Sequence, residues 1–112
     1  MTLVRFNLRD AINSLRGNYV PETLAKVDGF SLKMMECEGE FPWHHHDHDT
    51  LFLVHRGSLV LETEDGTQEF NTGDIGIVPA WTIHRIVADT RTIIMMLETS
   101  NLITIEDSAP KK

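Results

Sequence analysis

Four of the chain's six histidines, His44, His45, His46 and His48, fall within five consecutive positions of the segment running from Trp43 to Phe52. Neutral imidazole is the commonest side-chain ligand of transition metals. In an extended segment side chains alternate faces, so His44 and His46 point one way and His45 the other. Two imidazoles on one face of a strand make half of a metal site, and further ligands must come from distant sequence. A purification tag would sit at a terminus, whereas this run is interior and flanked by Trp43 and an apolar strand. A surface histidine patch that takes metal adventitiously is the competing reading. The distant candidate is His84, in the otherwise apolar segment 81–87. A lone histidine there is by default a satisfied core residue rather than a ligand.

The rest of the chain must position those rings. Its 112 residues suffice for one domain with a single core. Apolar and charged contents of 41% and 24% are those of an ordinary globular protein and argue against disorder. The net charge of −7 comes with scattered Lys and Arg, so no basic stripe is available to neutralise phosphates, and nucleic acid is not an expected partner. The acidic run Glu36, Glu38, Glu40 reads as a solvated strand face. No apolar run is long enough to span a bilayer, the first nine residues carry no apolar signal core, and Cys37 has no second cysteine to pair with. These features predict a cytoplasmic protein that does not engage membranes, with Cys37 a small apolar filler.

One helix is expected, from Asn7 to Arg16. Asn7 is its cap, Leu8, Ala11, Ile12 and Leu15 share a face, and Gly17 is its stop. The remainder reads as short strands between turn signals. Asp28-Gly29 joins 23–27 to 30–36, and Asp65-Gly66 leads from 58–63 into 67–70. Further strands are expected at 41–46, 51–55, 75–78, 81–87, 92–98 and 102–105, with a frayed tail from Glu106. So many short strands in so small a chain predict an all-β sandwich or barrel, with residues 1–19 as an N-terminal helical segment, 20–105 as the barrel and 106–112 as the tail. In the strand 51–55, Phe52 and Val54 share a face with Thr50, yet Leu51 and Leu53 opposite them are apolar too. Strands apolar on both faces need cover on both, by the helix or by a second subunit. A homodimer is therefore expected.

His44 and His46, one residue apart, are preceded by Gly39 and followed by Gly57; Gly73, Pro79 and His84 follow at regular spacing. In these two motifs the chain resembles the cupin superfamily, in particular its small single-domain members. The likeness covers Gly39 to Ala88. It implies a double-stranded β-helix, a jelly-roll barrel, with the motif histidines and a motif glutamate gathered on one metal inside it. Carried over residue by residue, His44, His46 and His84 are the implied ligands. The glutamate position holds Thr50, the second motif's glycine position Trp81, and its asparagine position Ala88. A neutral hydroxyl is a poor ligand for a divalent ion, which leaves three outcomes: His48 joins as a fourth nitrogen ligand, Asp49 reaches in, or three imidazoles stand with open positions, the form of a catalytic site. Three histidines rank first, with His48 the first addition. The ion is a divalent transition metal, Zn, Fe, Ni, Mn or Cu, which an imidazole set does not discriminate. An all-imidazole shell leaves its charge uncompensated and favours an anionic partner. The resemblance implies either a metal-dependent enzyme of isomerase, dioxygenase or lyase type acting on a small anionic or oxygen-rich molecule, or a non-catalytic module that binds a small ligand or the metal itself.

Overall fold

The computed structural model describes residues 3–110. One helix, α1 (Leu8–Asn13), precedes nine strands: β1 (Glu22–Val27), β2 (Phe30–Glu40), β3 (His44–His46), β4 (Thr50–Arg56), β5 (Ser58–Thr63), β6 (Gly66–Asn71), β7 (Ile75–Val78), β8 (His84–Thr99) and β9 (Thr104–Glu106). All nine join one curled antiparallel sheet that closes round an apolar interior, the double-stranded β-helix expected from the motifs.

β8 is the spine. It pairs with β2 along most of its length, with β5 and the start of β3 near His84, and with β4 towards Thr99. The segments 81–87 and 92–98, expected as two strands, belong to this single one, which begins only at His84. Asp89-Thr90-Arg91 looks like a turn by composition but is an exposed bulge: Ala88 pairs with Gly39 and Thr92 with Cys37, so three residues of β8 lie opposite Glu38. A bulge bends a strand without ending it, which lets β8 turn the barrel's corner.

Strands β4 and β5 are consecutive but do not pair with each other; both lie on β8, and Gly57 is the corner between them. Its φ of +96° and the closeness of Thr92, whose Oγ1 would stand 2.6 Å from an added Cβ, both require glycine there. Thr50, Phe52 and Val54 of β4 point inward as expected, and the interior continues through Met35, Leu59 and Ile94.

The helix is shorter than its apolar pattern. It ends before Ser14, whose hydroxyl bonds back to the Asp10 carbonyl (2.9 Å), three residues ahead of the expected glycine stop. The Asn7 cap is in place, accepting from the Arg9 and Asp10 amides, and the apolar face of α1 covers Met34 and Ile93 on the outside of the sheet. That cover is partial: Ile75 and Ile77 are each 62% exposed, with Leu51 and Leu97 beside them on the same outer face.

Two corrections bear on the site. β3 is three residues long rather than six, because Pro42 has no amide proton for a ladder and Phe41 bonds to Ile86 from outside the strand. The segment from Glu106 is not frayed at its start: Glu106 pairs with His44, and the Asp107 amide donates to the Trp43 carbonyl (2.8 Å).

Candidate metal centre

Two strands deliver the three rings. β3 presents His44 and His46 on one face, and His84 opens β8 directly opposite His44 in the register. The ring centroids of His44 and His84 are 4.2 Å apart, those of His44 and His46 4.8 Å, and those of His46 and His84 5.3 Å. One ligand nitrogen from each ring lies within 4.8 Å of the other two. A metal–imidazole bond is about 2.1 Å, so two nitrogens on one ion are at most about 4.2 Å apart. Small rotations of the rings satisfy that spacing, and the donor set fits a divalent transition ion.

Each ring's second nitrogen is already engaged. His44 Nδ1 meets the Pro42 carbonyl and His84 Nδ1 the Thr82 carbonyl, each at 2.7 Å. A carbonyl only accepts, so both rings carry their proton on Nδ1 and turn a bare Nε2 lone pair away from the backbone. His46 Nδ1 meets the Thr104 hydroxyl at 2.9 Å, supplied by β9. The two carbonyl contacts fix the tautomer that a metal ligand needs, and the hydroxyl, which can donate or accept, orients the His46 ring.

The rings are also held neutral. Burial lowers the proton affinity of all three; His46 and His84 are brought down to about 4, with the neighbouring imidazoles adding to the effect. The Lys33 ammonium contributes a smaller share at His46. At neutral pH these side chains stand ready as ligands without first losing a proton.

They open into a cavity of about 180 Å³ inside the barrel, walled by apolar side chains such as Met35, Phe52, Ile86 and Met96. Thr50, at the glutamate position of the motif, is buried on this wall with its hydroxyl directed to Glu98 (3.4 Å). Glu98 is itself buried and pairs with Lys33 at 2.7 Å. Neither Glu98 nor Lys33 was anticipated as a site residue. The signal was present: Lys33 shares strand parity with Met35 and Glu98 with Met96, so each interrupts an inward apolar stripe.

His48 is not brought to the cluster. Its side chain is half exposed and its Nδ1 lies 3.0 Å from Asp47 of its own loop. Asp49 is turned away as well, its Oδ1 accepting from the Ala80 amide (2.8 Å). The chain bends after His46, so strand parity no longer carries His48 to the face of His46. His45 points outward, as alternation requires, to Asp107 at 2.7 Å. Among the described residues the ligand-bearing group is His44, His46 and His84, with no carboxylate in it.

The cupin domain family model matches residues 32–100, more than half the chain and all three histidines. The chain belongs to the cupin family. It is 29% identical over 94 residues to the uncharacterized protein YdbB of Bacillus subtilis (strain 168), covering 82% of this chain and 83% of that protein. A cupin-2 domain containing protein from Shewanella frigidimarina shares 27% identity with a TM-score of 0.81, over 84% of this chain and 93% of its own. The cupin fold extends to hydroquinone 1,2-dioxygenase PnpCD, at 14% identity and a TM-score of 0.71, over 90% of this chain and 80% of that one.

Trp81, at the position where the second motif has glycine, has a positive φ of +69°. Its amide donates to the His46 carbonyl (2.8 Å), so the left-handed turn ties the segment before His84 to the strand that carries His46.

Proposed function

We propose that His44, His46 and His84 hold one divalent transition metal ion and that the protein is a metal-dependent cupin enzyme acting on a small anionic or oxygen-rich molecule. The observation that carries this reading is the convergence of three neutral imidazoles, two of them tautomer-fixed, on a cavity with room for a substrate. When bound, the ion would supply Lewis-acid polarisation of a ligand oxygen or a site for dioxygen. The protein's own part is to hold the ligand nitrogens bare, exclude bulk water with apolar walls and orient the bound molecule. A relative in fold, hydroquinone 1,2-dioxygenase, is known in complex with Cd2+ and 4-hydroxybenzonitrile, which supports a small aromatic or oxygen-rich ligand class.

The second reading, a non-catalytic ligand or metal binder, is favoured by one observation: Thr50 replaces the motif glutamate and no carboxylate joins the three rings. One experiment addresses both. Protein purified without a tag or added metal is analysed for metals, and the loaded protein is screened for turnover of sugars, keto acids and phenols. A stoichiometric ion that disappears in His84→Ala, together with turnover, supports the enzyme. Tight ligand retention without product supports the binder, and absence of any stoichiometric ion overturns the metal-dependent enzyme and the metal binder.

The exposed outer face of Leu51, Ile75, Ile77 and Leu97 fits a second copy of this chain, since an apolar face can complement itself across a twofold axis. Sedimentation should show a dimer that Ile77→Lys converts to monomer; a monomeric wild type removes this part of the proposal.

A further inference from the structure

The cavity has a second polar corner, which the metal reading leaves unused. Of the other polar groups on its lining, Tyr19 donates to the Gly39 carbonyl and Thr104 holds His46. What remains is Lys33, Glu98 and Thr50. Glu98 takes the Thr50 hydroxyl on one oxygen and the Lys33 ammonium on the other. The carboxylate is thus occupied on both oxygens. The ammonium has three donors, and one of them goes to Glu98.

Glu98 is buried and Lys33 half-buried, and stability does not explain such a pair, because apolar residues of similar volume generally serve a core as well or better. Here the interior around it is apolar, yet a cation borders the open space. Charge decides what that cation would meet. Lys33 and Glu98 cancel in net charge but leave the ammonium two further donors for an oxygen, and a divalent ion on three neutral rings would leave the cavity net positive, which favours an anion over a neutral ligand.

We infer that Lys33, tethered by Glu98, is a ligand-binding cation that takes a carboxylate or phenolate oxygen of a single-ring-sized molecule in the cavity. An apolar cavity of ~150 Å³ accommodates benzene, so about 180 Å³ suits one ring bearing an anionic oxygen. The inference rests on the cavity being the ligand site, but it does not require metal to be bound.

The test titrates benzoate and its neutral isostere benzamide by calorimetry into metal-free protein and into protein loaded with Zn2+. Wild type should prefer benzoate by about tenfold or more in both forms. Glu98→Gln frees the cation from its competitor and should raise benzoate affinity several-fold while leaving benzamide unchanged. The double variant Lys33→Met with Glu98→Gln leaves no unpaired charge to compromise folding, and should bind the two probes alike. Circular dichroism checks that each variant is folded. Wild type that binds neither probe or does not discriminate between them, a double variant that keeps the preference, or a Glu98→Gln protein with weakened benzoate binding would each overturn the inference. Metal affinity, measured on the same samples, separates the two proposals: a preference that depends on Lys33 in a protein that takes no Zn2+ leaves this inference standing and removes the metal reading. Tight Zn2+ binding with no such preference does the reverse.

Discussion

The cavity's two polar corners are built on opposite principles. At one, three imidazoles crowd together uncharged, their outer nitrogens engaged by Pro42, Thr82 and Thr104, the two carbonyls keeping the inner nitrogens of His44 and His84 bare. At the other, a full positive and a full negative charge sit side by side on neighbouring strands, with one hydroxyl as support. The first corner is arranged to accept a cation, the second to present one. A motif glutamate at position 50 would have placed a carboxylate among the imidazoles; here the interior carboxylate comes from Glu98 on the spine strand and is bound to Lys33 instead. The interior carboxylate thus sits beside Lys33, and the imidazole group contains none.

Breaking the imidazole corner should produce the largest effect. His84→Ala leaves two ligands and should weaken Zn2+ binding by more than about 100-fold, beyond the usual cost of losing an orienting contact. The benzoate preference of the metal-free variant should persist, and its loss would mean that the corners are not independent. Thr104→Val removes only the hydroxyl that holds His46, and should cost about 10- to 100-fold in Zn2+ affinity. Competition with a chromophoric chelator measures both.

Acid provides a comparison within the metal-free protein. His46 and His84 have folded values near 4, below the ordinary imidazole value of 6.5. The folded state thus binds fewer protons than the unfolded chain between those limits. Stability should be complete above about pH 6.5 and fall as the pH drops towards about 4. Melting temperatures across that range should decline, and His84→Ala should flatten the decline; an equal slope in both proteins would count against the buried neutral rings.

Merging the corners is a sharper test with a smaller expected effect. Thr50→Glu puts a second carboxylate beside Glu98, which should destabilise metal-free protein by about 1–3 kcal/mol and increase the stabilisation gained on adding Zn2+. No gain from Zn2+ beyond that of wild type would show that position 50 does not face the ion. The smallest change is expected at Trp81→Gly. Relief of a left-handed non-glycine residue should stabilise the fold by up to about 1 kcal/mol, less whatever the indole contributes by packing near His45. Thermal melts decide its sign.

Parts of this were open to inspection in the chain itself. His44 and His46 follow from a two-residue alternation that any extended segment obeys, and His84 from a spacing of glycine and proline shared with a family. The hairpin turn at Asp28-Gly29 was readable for the same local reason, whereas the turn expected at Asp65-Gly66 falls one residue earlier, at Glu64-Asp65, with Gly66 already paired to Thr63 as the first residue of β6. Readings failed where a neighbour overrode a local preference. Asp89-Thr90-Arg91 has the composition of a turn but became a bulge, because β2 holds the strand on either side of it. His48 had the right parity on paper, but the bend after His46 took it out of line and left it beside Asp47.

Composition and spacing by themselves determined a small all-β chain with two neighbouring imidazoles on one face and a third in a second motif, because backbone periodicity and turn chemistry are local properties. Only the closed barrel decided that Lys33 and Glu98 meet, that Thr104 reaches His46 across 58 positions, and that the segment from Glu106 begins as part of the site. Those contacts depend on strand register between distant segments. A register is fixed by the packing of the whole interior, and no short stretch of sequence carries it.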